Sequence, residues 1–324
     1  MEQKNTAIID KKQKINLFLA NPRGFCAGVE RAISIVEKAL SKFGPPIYIK
    51  HEIVHNKFVV ENLKQKGAVF VEDIADIPDN ALTIYSAHGV SVKVERESKD
   101  KQLKIFDATC PLVKKVHNQV VNLNRSRKVI IMVGHAGHPE VVGTSGRIAD
   151  KIYLVQNIQE AKEIDIPETD NLSYVTQTTL SVDDTKDIIE ILKQRYPAIE
   201  SPKKDDICYA TQNRQDAVKE LTREIDLLLV IGSQNSSNSN RLCDIGKDHN
   251  IASFLIANES EIDLNWFSSI HNVGLTAGAS APEILLNKVI KFLQQNFLVN
   301  LIEKDGKKEN IMFNLPKELR GSNE

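Results

Sequence analysis

The chain lacks a long hydrophobic run: no apolar stretch in its 324 residues approaches the ~18–20 residues that a membrane-spanning helix needs. It also lacks an excess of charge of either sign, since 42 lysines and arginines face 43 aspartates and glutamates, so its overall charge does not favour nucleic acid or a membrane surface. The first residues, MEQKNTAIIDKKQKI, lack the apolar core of a signal peptide. We therefore expect a cytoplasmic protein with neither a membrane nor a nucleic-acid partner.

Cysteine is scarce, and several short motifs are missing. Four scattered cysteines do not make the disulfide framework of a small secreted protein, so each is either a buried apolar residue or a metal ligand. There is no CxxC motif, and the HExxH match HEIVH at residues 51–55 falls in a predicted loop rather than on the helix that a zinc site of this type needs, so a zinc hydrolase is a poor interpretation. There is no GxxxxGK[ST] phosphate loop, and the run IGSQNSSNSNRL has only one glycine, so nucleotide and dinucleotide sites are also disfavoured.

Short β-branched runs that alternate with amphipathic helical runs fill the chain. INLFLA, KVIIMVG and LLLVIGS are among the predicted strands, and AGVERAISIVEKALSKF is one of the predicted helices. Several strands lack in/out alternation, as expected where helices cover both faces of a parallel sheet. The pattern predicts an α/β fold of βαβ units with mainly parallel sheets, and the length allows two or three lobes.

Three of the four cysteines recur in the same local setting. Cys26, Cys110 and Cys208 each follow an extended or turn-like stretch and open a helix-like run. We interpret this as three similar lobes, at residues 15–110, 111–207 and 208–297, followed by an extension at 298–324 that packs on another lobe. One thiolate from each lobe would then meet at a central iron–sulfur cluster in which one iron has no protein ligand. Cys243, on a helix face, is interpreted as an ordinary buried cysteine.

Polar side chains gather just after the predicted strands. Ligands of open α/β sheets bind there, beyond the carboxyl ends of the strands, where helix N-termini present free N–H groups. These polar residues are His55, His88, His135, His138, Glu140, Thr178, Thr179, Ser181, Ser236, Ser237, Asn238, Asn240 and Ser280. The loops offer hydroxyls, amides and imidazoles but little lysine or arginine, a set that can still bind a small anion such as a diphosphate.

The motifs around these residues resemble one enzyme family. In order along the chain they are GFCAGVERAI, HEIVHN, SAHGVS, DATCPLVKKVH, GHPEVVGT, TQTTLS, ATQNRQDAV, GSQNSSNSNRL and AGASAPE. They closely resemble the 4-hydroxy-3-methylbut-2-enyl diphosphate reductases, which perform the last step of the methylerythritol phosphate route to isoprenoids. The resemblance runs from about Ile15 to LPKELR, which is nearly the whole chain.

The resemblance implies a pseudo-threefold arrangement of α/β lobes around a 4Fe–4S cluster with three cysteine ligands and one open iron. The implied ligands are Cys26, Cys110 and Cys208. The implied catalytic residues are Glu140, which delivers a proton, together with Thr178 and His138, and Thr179 is the neighbouring alternative to Thr178. The implied substrate-binding residues are His55, His88, His138, Thr178, Ser236, Ser237, Asn238 and Ser280.

The implied reaction is the reductive dehydroxylation of 4-hydroxy-3-methylbut-2-enyl diphosphate to isopentenyl diphosphate and dimethylallyl diphosphate, by two one-electron transfers through the cluster. Because the sequence shows no flavin or nicotinamide site, the electrons must come from an external donor, which the family indicates is a ferredoxin or flavodoxin. Two other functions stay open. A quinolinate-synthase-like dehydratase would use the open iron without net electron transfer, and an iron–sulfur redox sensor would have no turnover.

Overall fold

Strands and helices alternate along the chain in the computed structural model, which describes residues 12–166 and 171–320. The first elements are β1 (Lys14–Leu19), α1 (Ala27–Phe43), β2 (Ile47–Lys50), α2 (Lys57–Gln65), β3 (Ala68–Val71), β4 (Leu82–Tyr85), α3 (Val92–Asp100) and β5 (Lys104–Asp107). The next are α4 (Pro111–Arg125), β6 (Val129–Val133), α5 (Pro139–Ser145), β7 (Ile152–Val155), α6 (Ile158–Glu163), β8 (Leu172–Thr176) and α7 (Val182–Arg195). The last are α8 (Tyr209–Leu221), β9 (Leu227–Ile231), α9 (Ser237–Asp248), β10 (Ala252–Ile256), β11 (Asn272–Ala277), α10 (Glu283–Asn296) and β12 (Leu298–Glu303).

The strands form three separate sheets in which every neighbouring pair is parallel. The strand orders are β3-β2-β4-β5, β7-β6-β8 and β10-β9-β11-β1-β12. Parallel neighbours need crossover connections, and helices supply them. The sequence-based prediction of an α/β fold with mainly parallel sheets is therefore confirmed.

Burial explains why these runs become strands and helices. Every residue of β9, LLLVI, is buried, which fits a central parallel strand covered on both faces. Helix α1 buries Ala32, Ile35 and Ala39, whose spacing of three and four residues places them on one face. It ends at Gly44, whose φ of 74° lies in the left-handed region that glycine adopts without strain.

The two ends of the chain depart from the predicted lobes. β1 was expected in the first lobe, but it pairs with β11 and β12 in the third sheet, so its placement was wrong. The apolar pattern of a strand does not specify its partners, and β1 fills the gap between two strands far away in sequence. The boundaries at residues 110 and 207 stay predictions.

The C-terminal extension divides its contacts between two sheets. β12 completes the edge of the third sheet. Further on, Leu319 is buried in the same core as α1, and Arg31 of that helix donates to the Asn314 carbonyl at 2.9 Å. The extension thus packs on the unit that contains α1, whereas residues 321–324 lie outside the described part. Among the described residues, no helix is long and apolar enough to span a bilayer.

Candidate active site

The three predicted ligand cysteines each cap a helix. Cys26 is the N-cap of α1, Cys110 of α4 and Cys208 of α8. The Cys208 sulfur accepts a hydrogen bond from the Thr211 amide at 3.4 Å, whereas the other two thiols cap through no side-chain hydrogen bond. A helix N-terminus favours negative charge, so the three helix ends act in the direction of the thiolate form that a metal ligand needs.

A glycine allows two of these helices to approach closely. A Cβ atom placed on Gly28, in the first turn of α1, would lie 2.6 Å from the Cys110 sulfur and 3.8 Å from the Cys26 sulfur. A contact of 2.6 Å is well inside van der Waals separation. Any other residue at this position would therefore displace the Cys110 thiol.

The three sulfurs do not lie as close together as ligands of one shared metal ion. In the described part of the chain, ligand atoms of His51, His55 and His88 lie within 4.8 Å of one another, and the three thiols do not form such a group. Two sulfurs on one zinc ion can be at most about 4.6 Å apart, because each Zn–S bond is about 2.3 Å. The three thiols therefore fit a cluster of several metal ions better than one ion.

Burial holds the thiols neutral unless positive charge is supplied. Burial raises the pKa of Cys110 to about 12 and that of Cys208 to about 11, with the neighbouring Cys26 thiol adding to both shifts. It also raises the pKa of Cys26, against the lowering effect of Arg214. Bound metal inverts this balance and deprotonates a coordinating thiol, so these residues fit an iron–sulfur group.

Histidine rings from separate loops form a compact cluster beside the thiols. The rings of His55 and His88 stack with centroids 4.1 Å apart, and His138 meets the His55 ring edge-on at 5.2 Å. His51 is a fourth member, 5.9 Å from His55 and 5.8 Å from His88. The sequence analysis overlooked His51, although it opens the same HEIVHN motif as His55.

Two rings of the cluster, His88 and His138, are held in their neutral form before any ligand binds. Burial lowers the pKa of His138 to about 3, and the nearby His55 and His135 rings lower it further. Burial likewise lowers the pKa of His88 well below its usual range. The Nδ1 atom of His138 accepts a hydrogen bond from the Glu140 amide at 3.2 Å, so the single proton of the neutral ring lies on Nε2.

Several buried polar atoms at the site have no hydrogen-bond partner among residues 12–166 and 171–320. They are Nε2 of His55 and both Nδ2 and Oδ1 of Asn238. A buried polar group without a hydrogen bond costs about 1–3 kcal/mol, so such atoms mark places that a polar ligand fills. The positions suit a ligand with many hydrogen-bonding oxygens.

The N-terminus of α9 presents the serine-rich loop to the same space. Ser236 caps this helix by accepting from the Ser239 amide at 3.3 Å. The hydroxyls of two other serines are held in place: Ser237 donates to the Thr179 carbonyl at 3.1 Å and Ser280 donates to the His55 carbonyl at 2.9 Å. The free N–H groups and positive dipole end of a helix favour an anion here.

Glu140 is a buried carboxyl group with two hydrogen bonds from one threonine. It accepts from the Thr178 amide at 2.6 Å and from the Thr178 hydroxyl at 3.0 Å, and it is only 2% exposed. Burial raises its pKa to about 7, although the two bonds from Thr178 act in the lowering direction. A carboxyl group with this pKa can hold and release a proton near neutral pH.

Arg214 ties the Cys26 loop to the C-terminal extension. Its guanidinium, 1% exposed, donates to the Gly24 carbonyl at 2.8 Å and to the Phe25 carbonyl at 3.2 Å. It also donates to both carboxylate oxygens of Glu309, at 3.1 and 3.2 Å. The sequence analysis overlooked both residues, because nothing local distinguishes them from surface charges.

One cavity of about 100 Å³ lies at the site, and of the polar loop residues singled out in the sequence, His135, Ser181 and Asn240 do not line it. All the site residues that the family resemblance implies do line it. They are Cys26, Cys110, Cys208, His55, His88, His138, Glu140, Thr178, Ser236, Ser237, Asn238 and Ser280. Thr179 and Gly28 line it too, whereas Cys243 is buried in a separate apolar core. The structure thus brings the predicted residues together, while their individual roles stay predictions.

Comparisons with known proteins agree with this arrangement. The family model described as "LytB protein" matches residues 17–294. The 4-hydroxy-3-methylbut-2-enyl diphosphate reductase of Xanthomonas axonopodis pv. citri (strain 306) is 54% identical over 311 residues, covering 94% of this chain and 98% of the relative. The reductase of the same name from Ruthia magnifica subsp. Calyptogena magnifica is 53% identical over 306 residues, covering 94% of this chain and 100% of the relative.

Solved structures show the same fold. The E-1-hydroxy-2-methyl-but-2-enyl-4-diphosphate reductase from Plasmodium falciparum superposes with a TM-score of 0.89 at 38% identity, covering 95% of this chain and 97% of that one. A second structure, an (E)-4-hydroxy-3-methyl-but-2-enyl diphosphate reductase described as the terminal enzyme of the non-mevalonate pathway, gives a TM-score of 0.61 at 31% identity, covering 87% and 99%. With a family match over most of its length and relatives more than half identical, the chain belongs to the LytB family of 4-hydroxy-3-methylbut-2-enyl diphosphate reductases, which are oxidoreductases.

Proposed function

We propose that this chain converts 4-hydroxy-3-methylbut-2-enyl diphosphate to isopentenyl diphosphate and dimethylallyl diphosphate. One observation carries the proposal: three thiols, a buried carboxyl group and unpartnered anion-binding groups line a single cavity. The relatives' printed name supplies the substrate and the class of reaction, a reduction. The cavity supplies a chemical reason for each part of that reaction.

Cys26, Cys110 and Cys208 would hold a 4Fe–4S cluster. Their wide spacing, their helix N-caps and their burial suit a polynuclear metal group. When bound, such a cluster supplies electrons one at a time and an iron without a protein ligand that acts as a Lewis acid.

The histidines and the α9 N-terminus would bind the diphosphate. Nε2 of His55 and the side-chain amide of Asn238 have no partner among the described residues. The Nδ1 atom of His138 is occupied by the Glu140 amide, which leaves Nε2–H as the donor that this ring can offer. The lining residues include no lysine or arginine, so charge compensation would come from the helix end and from proton uptake by imidazoles, whose pKa a bound anion raises. Several charge-assisted bonds, each about 1.5–3 kcal/mol, would position the substrate.

Glu140 would deliver the proton, with Thr178 and His138 beside it. The reaction replaces a hydroxyl group with hydrogen, consumes two electrons and two protons, and releases water. The Thr178 hydroxyl lies 3.0 Å from the Glu140 carboxylate and so can relay a proton between that group and the substrate. Protonation at one or the other end of the allylic unit gives the two products.

The electrons would come from a separate protein, a ferredoxin or flavodoxin. The cavity is far too small to admit a protein, and the chain has no flavin or nicotinamide motif. A cytoplasmic location stays a prediction from the sequence.

The experiment is anaerobic oxidation of reduced methyl viologen on addition of 4-hydroxy-3-methylbut-2-enyl diphosphate, with protein of known iron and sulfide content. We expect substrate-dependent oxidation and formation of both five-carbon diphosphates. Fully cluster-loaded protein that oxidises no viologen would refute the proposal. Such a result would favour the dehydratase or the redox sensor, which demand no net electrons from the dye.

A further inference from the structure

A large groove lies on the outer side of helix α4, next to the cluster ligands. It has a volume of about 850 Å³. One wall is α4, from Pro111 to Leu123, and the other is the segment at residues 200–204. We call it the α4 groove, and its lining residues are Pro111, Lys114, Lys115, Asn118, Gln119, Asn122, Leu123, Ser126, Ser173, Glu200, Ser201, Pro202, Lys203 and Lys204.

Only the width of helix α4 separates the α4 groove from the candidate active site. Leu112 and Val113 line the cavity, whereas Pro111, Lys114 and Lys115 line the groove. A helix with its side chains is about 10–12 Å across, so a molecule seated in the groove comes that close to the thiols. Both walls also lead directly to ligands, since α4 begins after Cys110 and the 200–204 segment runs into Cys208.

The groove carries unneutralised positive charge. Lys203 and Lys204 are exposed and form no ion pair within residues 12–166 and 171–320. The other two lining lysines are paired, Lys115 with the buried Asp206 carboxylate at 3.1 Å and Lys114 with Asp107 at 2.5 Å. The acidic lining residue Glu200 is itself paired with Lys128, at 2.6 Å. The lining charges left without an ion pair in the described part of the chain are therefore those of Lys203 and Lys204, and two such positive charges attract an acidic partner.

A second groove borders another ligand helix but is less suited to the same partner. It lies between α1 and the extension, has a volume of about 500 Å³ and includes the acidic Glu30. Its basic lining residues are Arg31, Lys38 and Arg320. Arg31 is held by the carbonyls of Asn314 and Thr109, at 2.9 and 3.2 Å, and Arg320 by the carbonyl of Leu315, at 2.9 Å. Both arginines therefore help to hold the extension on the protein.

We infer that the α4 groove is the docking surface for the electron donor, and that the donor is a small acidic electron-carrier protein. The inference rests on the proposed function. In each turnover the donor is oxidised by two electrons, and the substrate takes up those electrons with two protons and loses its hydroxyl group as water. Electron-transfer complexes are small and transient, so charge complementarity at a groove of this kind governs their association rate.

The test compares two electron sources in one pair of variants. The docking variant is Lys203→Glu/Lys204→Glu, and the matched control is Lys288→Glu/Lys291→Glu on the exposed face of α10. Turnover is driven either by reduced methyl viologen or by a purified flavodoxin kept reduced by NADPH and flavodoxin reductase, with flavodoxin limiting. For the docking variant we expect kcat/KM for flavodoxin to fall about tenfold at low ionic strength, with a smaller fall in high salt. Viologen-driven turnover should not change, and the control should keep both rates.

An unchanged flavodoxin-driven rate in the docking variant would overturn the inference and leave the proposed function intact. The milder variant Lys203→Gln/Lys204→Gln guards against structural damage, and an equal fall in both rates in both variants would also overturn it. Should the unaltered protein fail to oxidise viologen, the proposed function is refuted instead. Binding of fluorescently labelled flavodoxin to the same variants then decides the docking surface, and equal affinity in all of them would exclude the α4 groove.

Discussion

At the scale of single residues, the site works by removing polar groups from water. Glu140 is nearly inaccessible, and burial outweighs the hydrogen bonds from Thr178, so the pKa of its carboxyl group rises to about 7. The same burial keeps His138 neutral, because it lowers the pKa of that ring to about 3. The free site therefore contains a carboxyl group able to give up a proton beside an imidazole that does not compete for it.

Replacing Glu140 by glutamine should separate proton delivery from binding. Glu140→Gln keeps the shape and an acceptor for the Thr178 amide but has no acidic proton, so we expect cluster content and substrate affinity to persist while kcat falls ~10²–10⁴-fold. Steady-state kinetics with reduced viologen and a substrate-binding measurement provide the comparison. Glu190→Gln, at an exposed position on α7, is the control. Near-normal kcat in Glu140→Gln would remove this residue from the proton-donor role.

The pH dependence of kcat/KM should report the Glu140 pKa. The group is protonated below about pH 7 and ionised above it, and an acid catalyst must carry its proton. We therefore expect kcat/KM to fall about tenfold for each pH unit above that value, since this parameter reports the free enzyme. The profile is measured from pH 5.5 to pH 9 with iron content checked at each point. A residual rate in Glu140→Gln that shows the same break would assign the pKa to another group.

At the scale of secondary-structure elements, helix N-termini do most of the positioning. Three helices have a cysteine as their N-cap, α5 has His138 and α9 has Ser236. Four of these five helices follow the carboxyl end of a strand, whereas α8 follows α7 and the loop after it. The N–H groups and dipoles of several helices thus point toward one place.

Serine replacements should distinguish the ligand cysteines from the structural one. In Cys26→Ser, Cys110→Ser and Cys208→Ser we expect lower iron and sulfide content and little viologen oxidation, because a hydroxyl group is a poorer ligand for iron than a thiolate. Cys243→Ser is the matched control, since its side chain lies in an apolar core away from the cavity. Cluster content equal to the control in any of the three would show that this cysteine is not a ligand.

Gly28→Ala should reduce cluster binding without destabilising the metal-free protein. Alanine in a helix is favoured over glycine by roughly 0.5–1 kcal/mol, and without metal the Cys110 thiol can rotate away from the new methyl group. A ligating thiol cannot, because the Cβ would lie 2.6 Å from its sulfur. We expect cluster content to drop while the thermal unfolding temperature of the metal-free protein holds or rises. A normal iron content would show that the two helices move apart easily.

At the scale of the whole molecule, the site exists only where three sheets meet. The thiols, histidines and serines come from loops of all three sheets, and none of the sheets holds more than part of the cavity. The C-terminal extension joins two of these sheets, since β12 pairs with β1 and Leu319 packs in the core of α1, and between them Glu309 holds Arg214.

Removing Glu309 should destabilise the whole protein. Glu309→Ala leaves the buried Arg214 charge without its carboxylate, which we expect to cost about 3–5 kcal/mol in the free energy of unfolding. Denaturant unfolding of the metal-free protein measures this. Lys307→Ala, in the same segment but with an exposed partner at Asp216, should cost no more than about 1 kcal/mol. Equal losses in the free energy of unfolding would show that the buried Arg214–Glu309 pair stabilises the protein no more than an exposed ion pair.

The sequence by itself determined the class of fold, the matched settings of three cysteines and the polar loops after the strands, because these are local patterns of periodicity and spacing. The long motifs also indicated the LytB reductases, and membership in that family confirms that the chain is an oxidoreductase. Only the tertiary structure decided that β1 joins the third sheet, that His51 enters the histidine cluster, and that Gly28 and the Arg214–Glu309 pair hold the thiol loops in place. Each of these depends on contacts between residues far apart along the chain. The sequence around each residue does not indicate which distant residue it contacts in the folded protein.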